Sequence, residues 1–222
     1  MTTITAPPLA ELIDRLFAEG DRDFDAMPAF FTEMSEADRT RLMTSTTDYP
    51  KLYAALGDKA LAVSRETGTL LYMLARATKA RTIVEFGTSF GLSTLHLAAA
   101  LRDNGGGRLI TSEFEPGKAA RARATFAEAG FADLIELREG DALETLARDL
   151  PDSIDLALLD GAKGLYPAVL DLIEGRLRPG ALVLADNADW NADYIARVRD
   201  PARGYLSVPF AADVELSLRL GA

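Results

Sequence analysis

The stretch "TIVEFGTSFGLST", Thr82–Thr94, decides the fold. "TIVEFG" is a short β-branched run ending in Glu85 and Gly87, and it leads into a helical pattern that reaches Leu101. β-Branched residues suit a pleated strand, whereas apolar residues three and four apart mark a helix. Gly87 and Gly91 let the connecting backbone come close to a ligand. Their spacing is not G-x-G-x-x-G, so a nicotinamide dinucleotide loses its strongest support.

Further along the chain the same alternation recurs. A Gly-rich turn, "NGGG", precedes a strand "RLITSEF", and "PGKAARARATFAEAG" is a helix with Pro116 in its first turn. "LIELREGD", a helix from Ala142 to about Asp149, "IDLALLD", a helix from Tyr166 to about Leu177, and "ALVLAD" follow. Strands alternating with helices imply an α/β protein with a parallel sheet covered on both faces. "GYLSVPF" and "DVELSLRL" form a closing antiparallel pair. Before Lys79 the pattern is helical: "LAELIDRLFAEG", then "SEADRTRLMTSTTDYPKLYAALGDKALAVS" with a break near Tyr49 and Pro50, then "ETGTLLYMLARATK".

The 222 residues suit one domain, 1–222, in which 1–60 form a helical cap or dimerisation segment and 61–222 the ligand-binding core. The absence of cysteine excludes disulfides and thiolate chemistry. His96, the lone histidine, lies in "STLHLAAAL", where a packed helical histidine is expected. A net charge of −10 offers no general attraction to nucleic acid or anionic lipid, so neither is an expected partner. No run approaches the roughly 20 apolar residues of a membrane span, and "MTTITAPPLA" lacks the pattern of a secretory signal, which makes the cytoplasm the simplest expectation.

Ligands of open parallel sheets bind beyond the carboxyl ends of the strands, so Glu85, Glu113, Asp141, Asp160, Asp186 and Asn187 are expected to face one crevice. Glu113 ends the second strand, where a carboxylate can accept hydrogen bonds from both hydroxyls of a ribose. Asp160, Asp186 and Asn187 supply hard oxygen donors suited to Mg²⁺ or another divalent cation. Asp and Asn at strand ends also cap helices and form turns, so residue chemistry alone leaves the metal and capping readings open.

"IVEFGTSFGLST", "ITSEFEP", "LALLDGAKGLY" and "LVLADNADW" together resemble the class I S-adenosylmethionine-dependent methyltransferases, in particular the catechol and caffeoyl-CoA O-methyltransferase group. The resemblance runs from about Val63 to Trp190, with "VSRETGTLLYMLAR" joining it from the N-terminal side. It implies a Rossmann-like methyltransferase fold with a mainly parallel seven-stranded sheet, helices on both faces and extra N-terminal helices. It further implies that Glu85, Gly87 and Thr88 border the methionine part of the donor, that Ser93 and the Val63 backbone bind its carboxylate, and that Glu113 takes the ribose. Ala142 would meet the adenine through its main chain, with Phe114 packing on it or in the core, and Asp160 would border the donor as well.

The same resemblance makes Asp160, Asp186 and Asn187 the metal ligands, with two neighbouring acceptor oxygens completing the coordination, and Lys163 the general base. That role requires Lys163 to be neutral at the moment of transfer, through a nearby Mg²⁺ and partial desolvation. Tyr166 and Trp190 are candidate acceptor contacts, with plain packing the alternative for Tyr166 and a surface or subunit contact for Trp190. A homodimer is also implied. Gly161 and Ala162 stand where the group often carries bulkier or acidic residues, which leaves the acceptor open. The expected activity is cation-dependent O-methylation of a small molecule with adjacent oxygens. Metal-independent O- or N-methylation, a non-catalytic S-adenosylmethionine-binding module and, third, a nicotinamide dehydrogenase are the alternatives.

Overall fold

The computed structural model describes residues 2–211 and 213–221. The chain begins with α1 (Pro7–Asp25), α2 (Ala29–Thr32), α3 (Glu36–Met43), α4 (Tyr49–Ala55) and α5 (Arg65–Ala77). β1 (Thr82–Phe86), α6 (Leu92–Asp103), β2 (Arg108–Glu113), α7 (Pro116–Glu128) and β3 (Ile135–Glu139) then alternate. α8 (Ala142–Thr145), β4 (Ile154–Leu159), α9 (Tyr166–Ile173), β5 (Leu177–Ala185) and α10 (Ala192–Val198) continue the alternation, and β6 (Tyr205–Phe210) with β7 (Val214–Arg219) closes the sheet.

The seven strands lie in the order β3-β2-β1-β4-β5-β7-β6. β1 to β5 are parallel, and β7 runs antiparallel to both β5 and β6. The order reverses between β1, which is followed by β2 on one side, and β4 on the other, and such a switch opens a crevice at the carboxyl ends. Alternating side chains of the central strands feed two apolar layers. Ile83, Leu156, Leu158 and Leu184 pack with Leu12, Leu16, Leu71 and Leu97 from α1, α5 and α6. Val84, Ala157, Leu159 and Val183 pack on the opposite face with Val169, Leu170, Tyr194 and Val198 from α9 and α10. Among the described residues, no helix is long and apolar enough to cross a membrane.

Several helix limits differ from the sequence expectation, and in the first two cases a local or tertiary hydrogen bond competes with the helix. The break expected near Tyr49 and Pro50 falls at residues 44–48, where Ser45 Oγ accepts from the N–H groups of Thr47 and Asp48 at 3.2 and 2.9 Å. α4 then starts at Tyr49 with Pro50 in its first turn. "GDKALAVS" is not helical: Ala60 N–H donates to Asp23 and Leu61 N–H donates to Ser89 Oγ, which holds residues 57–64 as a strap. The helix expected from Ala142 to about Asp149 is the single turn α8. α9 ends at Ile173, a 3₁₀ turn occupies Glu174–Arg176, and Leu177 already belongs to β5. His96 is packed as expected, edge-on to Phe17 at 5.9 Å with Nδ1 2.8 Å from the Leu92 carbonyl.

Candidate active site

β1 delivers the chain at Phe86 into Gly87, whose φ of +96° suits glycine. A Cβ at Gly87 would also lie 2.5 Å from the Asp160 carbonyl oxygen, so the turns after β1 and β4 touch through bare backbone. Thr88 is buried and donates to the Ser112 carbonyl at 3.0 Å. Ser89 N–H donates to Glu113 Oε2 at 2.7 Å, and Glu115 N–H donates to Glu113 Oε1 at 2.9 Å. The carboxylate closing β2 is thereby fixed in orientation. Burial pushes Glu113 up, against the pull of those N–H groups and of Lys118.

These turns line a cavity of about 850 Å³ over the carboxyl ends of β1, β2 and β4. Its wall brings together Val63, Gly87, Thr88, Ser93, Glu113, Phe114, Asp141, Ala142 and Asp160 of the expected residues. Asp141 caps α8 by accepting from Leu143 N–H at 2.8 Å, which matches its capping reading. Glu85 stands apart from the wall. It has no solvent exposure and accepts from Ser93 Oγ at 2.7 Å and Thr94 Oγ1 at 2.6 Å, one layer below the cavity. Burial pushes its carboxyl up to about 7, the hydroxyl donors opposing and Asp160 adding to the rise.

The cavity has a second wall, of whose residues the sequence singles out only Val63. Leu16, Tyr49, Tyr53 and residues 60–63 close it from the N-terminal side. Tyr49 donates to Asp141 and meets Phe114 edge-on with ring centroids 6.0 Å apart, while Tyr53 donates to the Gly161 carbonyl at 3.2 Å. Burial and then the Asp141 bond push Tyr49 up to about 12, so it stays a donor. The signal was present in "DYPKLYAAL": Tyr49, Leu52 and Tyr53 share one face of a helical turn. Ser89, Phe90 and Lys118 also line the cavity without having been singled out.

Asp160, Lys163, Asp186 and Asn187 gather beside this cavity, at the neighbouring ends of β4 and β5. Asp186 N–H donates to the Leu159 carbonyl at 3.0 Å, and Lys163 Nζ lies 2.7 Å from Asp160 Oδ1 with the lysine only 4% exposed. Burial works against the Lys163 ammonium, but Asp160, followed by Tyr166, Tyr53 and Asp186, outweighs it and pushes Lys163 up. Lys163 is therefore held as an ammonium in this arrangement; the neutral amine that a base requires belongs to the moment of transfer beside a cation. Burial, then Asp160, pushes Asp186 up to about 7.

Asn187 has φ +48° and donates through Nδ2 to Asp213 at 3.0 Å. Its side-chain oxygen, both carboxylate oxygens of Asp186 and Asp160 Oδ2 accept no hydrogen bond from the described residues. This set of uncommitted hard oxygens suits a divalent cation. Among the described residues no three His, Cys, Asp or Glu side chains converge on a metal position, so a cation here needs Asn187 as its third ligand. Tyr166 is fully buried and donates to the Asp186 carbonyl at 2.6 Å, so it packs beneath the site. Trp190 is half-buried in the turn after Asn187 and lies outside the cavity wall.

The model of the O-methyltransferase family matches residues 41–216. A catechol O-methyltransferase of Niastella koreensis is 30% identical over 167 residues, 74% of this chain and 73% of that protein. A catechol O-methyltransferase of Mycobacterium tuberculosis is 37% identical over 146 residues, 63% of this chain and 66% of that protein. The crystal structure of the O-methyltransferase TomG from Streptomyces achromogenes, involved in tomaymycin synthesis and in complex with S-adenosylmethionine, superposes with a TM-score of 0.63 at 29% identity, over 85% of this chain and all of that one. With the strand order, the strand-end acidic residues and the cavity above them in agreement, the chain belongs to the O-methyltransferase family.

Proposed function

We propose that the protein transfers the methyl group of S-adenosylmethionine to a hydroxyl of a small molecule bearing adjacent oxygens, such as a catechol, with the help of a divalent cation. The observation that supports this reading is the contact between the turns after β1 and β4, where the cavity adjoins the strand ends that carry Asp160, Lys163, Asp186 and Asn187. In it, Glu113 accepts the ribose hydroxyls, the Ala142 backbone and Phe114 meet the adenine, and Val63, Gly87, Thr88 and Ser93 surround the methionine end. Glu85 supports that end from below through Ser93. Trp190 would border the acceptor, and Tyr166 would fix the Asp186 backbone.

Transfer forms an oxygen–carbon bond as the sulfur–carbon bond breaks, giving a methyl ether and S-adenosylhomocysteine, and the hydroxyl proton must leave. Asp160, Asp186 and Asn187 would hold the cation, whose Lewis acidity favours the anion of a bound hydroxyl. Lys163 Nζ receives the proton. Asp160 holds it as an ammonium in the present arrangement, so it serves as a base only once that contact relaxes and the ammonium has released its own proton to solvent. The cavity walls hold donor and acceptor in line, which removes much of the entropic barrier. A homodimer belongs to the same proposal, with sedimentation velocity as its test.

A metal-independent transfer is the second reading, favoured by the 2.7 Å contact in which Lys163 already supplies a positive charge to Asp160. Labelled methyl donor, a panel of vicinal and single hydroxyl acceptors, and parallel reactions with Mg²⁺ and with chelator separate the two. Transfer to vicinal acceptors that chelator abolishes is expected; equal turnover with chelator favours the second reading. Lys163→Met is expected to lose roughly 100-fold or more in kcat while binding S-adenosylhomocysteine as before. Full turnover in that variant would remove Lys163 from the chemistry.

A further inference from the structure

Among the described residues, one charged group in the cavity wall has no hydrogen-bond or ion-pair partner and no task in the transfer. Lys118, in the first turn of α7, is 2% exposed and lines the same cavity as Glu113. Its backbone N–H donates to Glu115 Oε2 at 2.7 Å. Among the described residues its ammonium makes no hydrogen bond and no ion pair within the 4.0 Å limit of such a pair. Lys163, comparably buried, contrasts with it by lying 2.7 Å from Asp160. Burial pushes Lys118 down, while the more distant carboxylates of Glu113, Glu115, Asp58 and Asp23 pull it up. An ammonium left with so little solvent needs acceptors, and those carboxylates give it charge compensation at a distance without a hydrogen bond.

We propose that Lys118 is a second ribose-binding residue, donating from Nζ to a ribose hydroxyl oxygen of the adenosyl ligand whose hydroxyl protons Glu113 accepts. This rests on the S-adenosylmethionine reading given above. A carboxylate only accepts, so Glu113 uses the donor side of a diol and leaves the hydroxyl lone pairs unsatisfied in a site the ligand has emptied of water. An ammonium only donates, and is the complementary group. Backbone N–H groups already hold one lone pair on each Glu113 oxygen, so the carboxylate cannot turn to pair with Lys118 without losing them. The two side chains stand on consecutive elements, β2 and the first turn of α7, and together form an acceptor–donor pair for a vicinal diol.

Calorimetric titration of the wild type, Lys118→Met and Lys118→Gln with S-adenosylhomocysteine and with its 2′-deoxy and 3′-deoxy analogues tests this. Lys118→Met is expected to bind S-adenosylhomocysteine roughly 10- to 100-fold more weakly, with Lys118→Gln in between because it retains a neutral donor. For the analogue lacking the contacted hydroxyl, wild type and Lys118→Met are expected to bind alike, because the partner is already gone. A loss of equal size for all three ligands, which a purely structural role would give, overturns the inference, as does no loss at all. Failure of the wild type to bind S-adenosylhomocysteine overturns the donor reading itself and this inference with it. Thermal unfolding of each variant identifies misfolding, and Lys118→Gln then carries the comparison.

Discussion

Glu85 is a carboxyl group with no solvent exposure, held by two hydroxyl donors beneath the cavity. Its rise from an ordinary 4.5 to about 7 means that the folded protein binds this proton more tightly than the unfolded chain does. The stability that Glu85 contributes is fully present below pH 4.5 and is lost as pH rises through about 7. The shift corresponds to about 3 kcal/mol. Glu85→Gln should remove this slope: urea denaturation of both proteins across that pH interval should show the wild type losing stability relative to the variant as pH rises. A constant difference between the two would mean that Glu85 is ionised throughout.

At the scale of elements, the cover of the site is built from α4, the turn before it and the strap after it. Gly164 packs against the carbonyls of Thr44 and Ser45 so closely that a Cβ there has no room. Gly164→Ala should push the turn off the loop that carries Asp160 and Lys163, destabilising the protein by about 1–3 kcal/mol, and should raise the acceptor KM more than it weakens S-adenosylhomocysteine binding. Denaturation midpoints and steady-state kinetics check both. This cover was the least legible part of the chain. The strands after Lys79 announced themselves through β-branched runs ending in Gly and acidic residues, because a strand buried on both faces must be continuously apolar and its ligand groups fall at its end. "GDKALAVS" has helical composition but donates its Ala60 and Leu61 N–H groups to Asp23 and Ser89, which are distant in sequence. For the same reason Glu113 and Asp160 could be located from local pattern, whereas Tyr49, Tyr53 and Lys118 depend on how α4 and α7 fold over the strand ends.

Across the whole molecule, the N-terminal segment is part of the main core. Leu9, Leu12, Ile13, Leu16 and Phe17 of α1 are buried in the same layer as Ile83, Leu95 and Leu158. Removing residues 1–60 would uncover that layer and take away Tyr49, Tyr53 and Asp23 together. A chain of residues 61–222 is expected to lose cooperative unfolding and to be digested by protease under conditions where the full chain survives, because large buried side chains are worth roughly 1.5–3 kcal/mol each. A cooperative transition at the full-length midpoint would show instead that α1 is an accessory.

The backbone contact between Gly87 and Asp160 has an evolutionary corollary. A floor fixed by two main chains has no side chain there to vary, so diversification toward new acceptors is expected around it, at Gly161, Ala162 and Trp190 and in the N-terminal roof near Thr44 and Tyr53. Homologues with different chemical tastes should therefore diverge at those positions while keeping the same base.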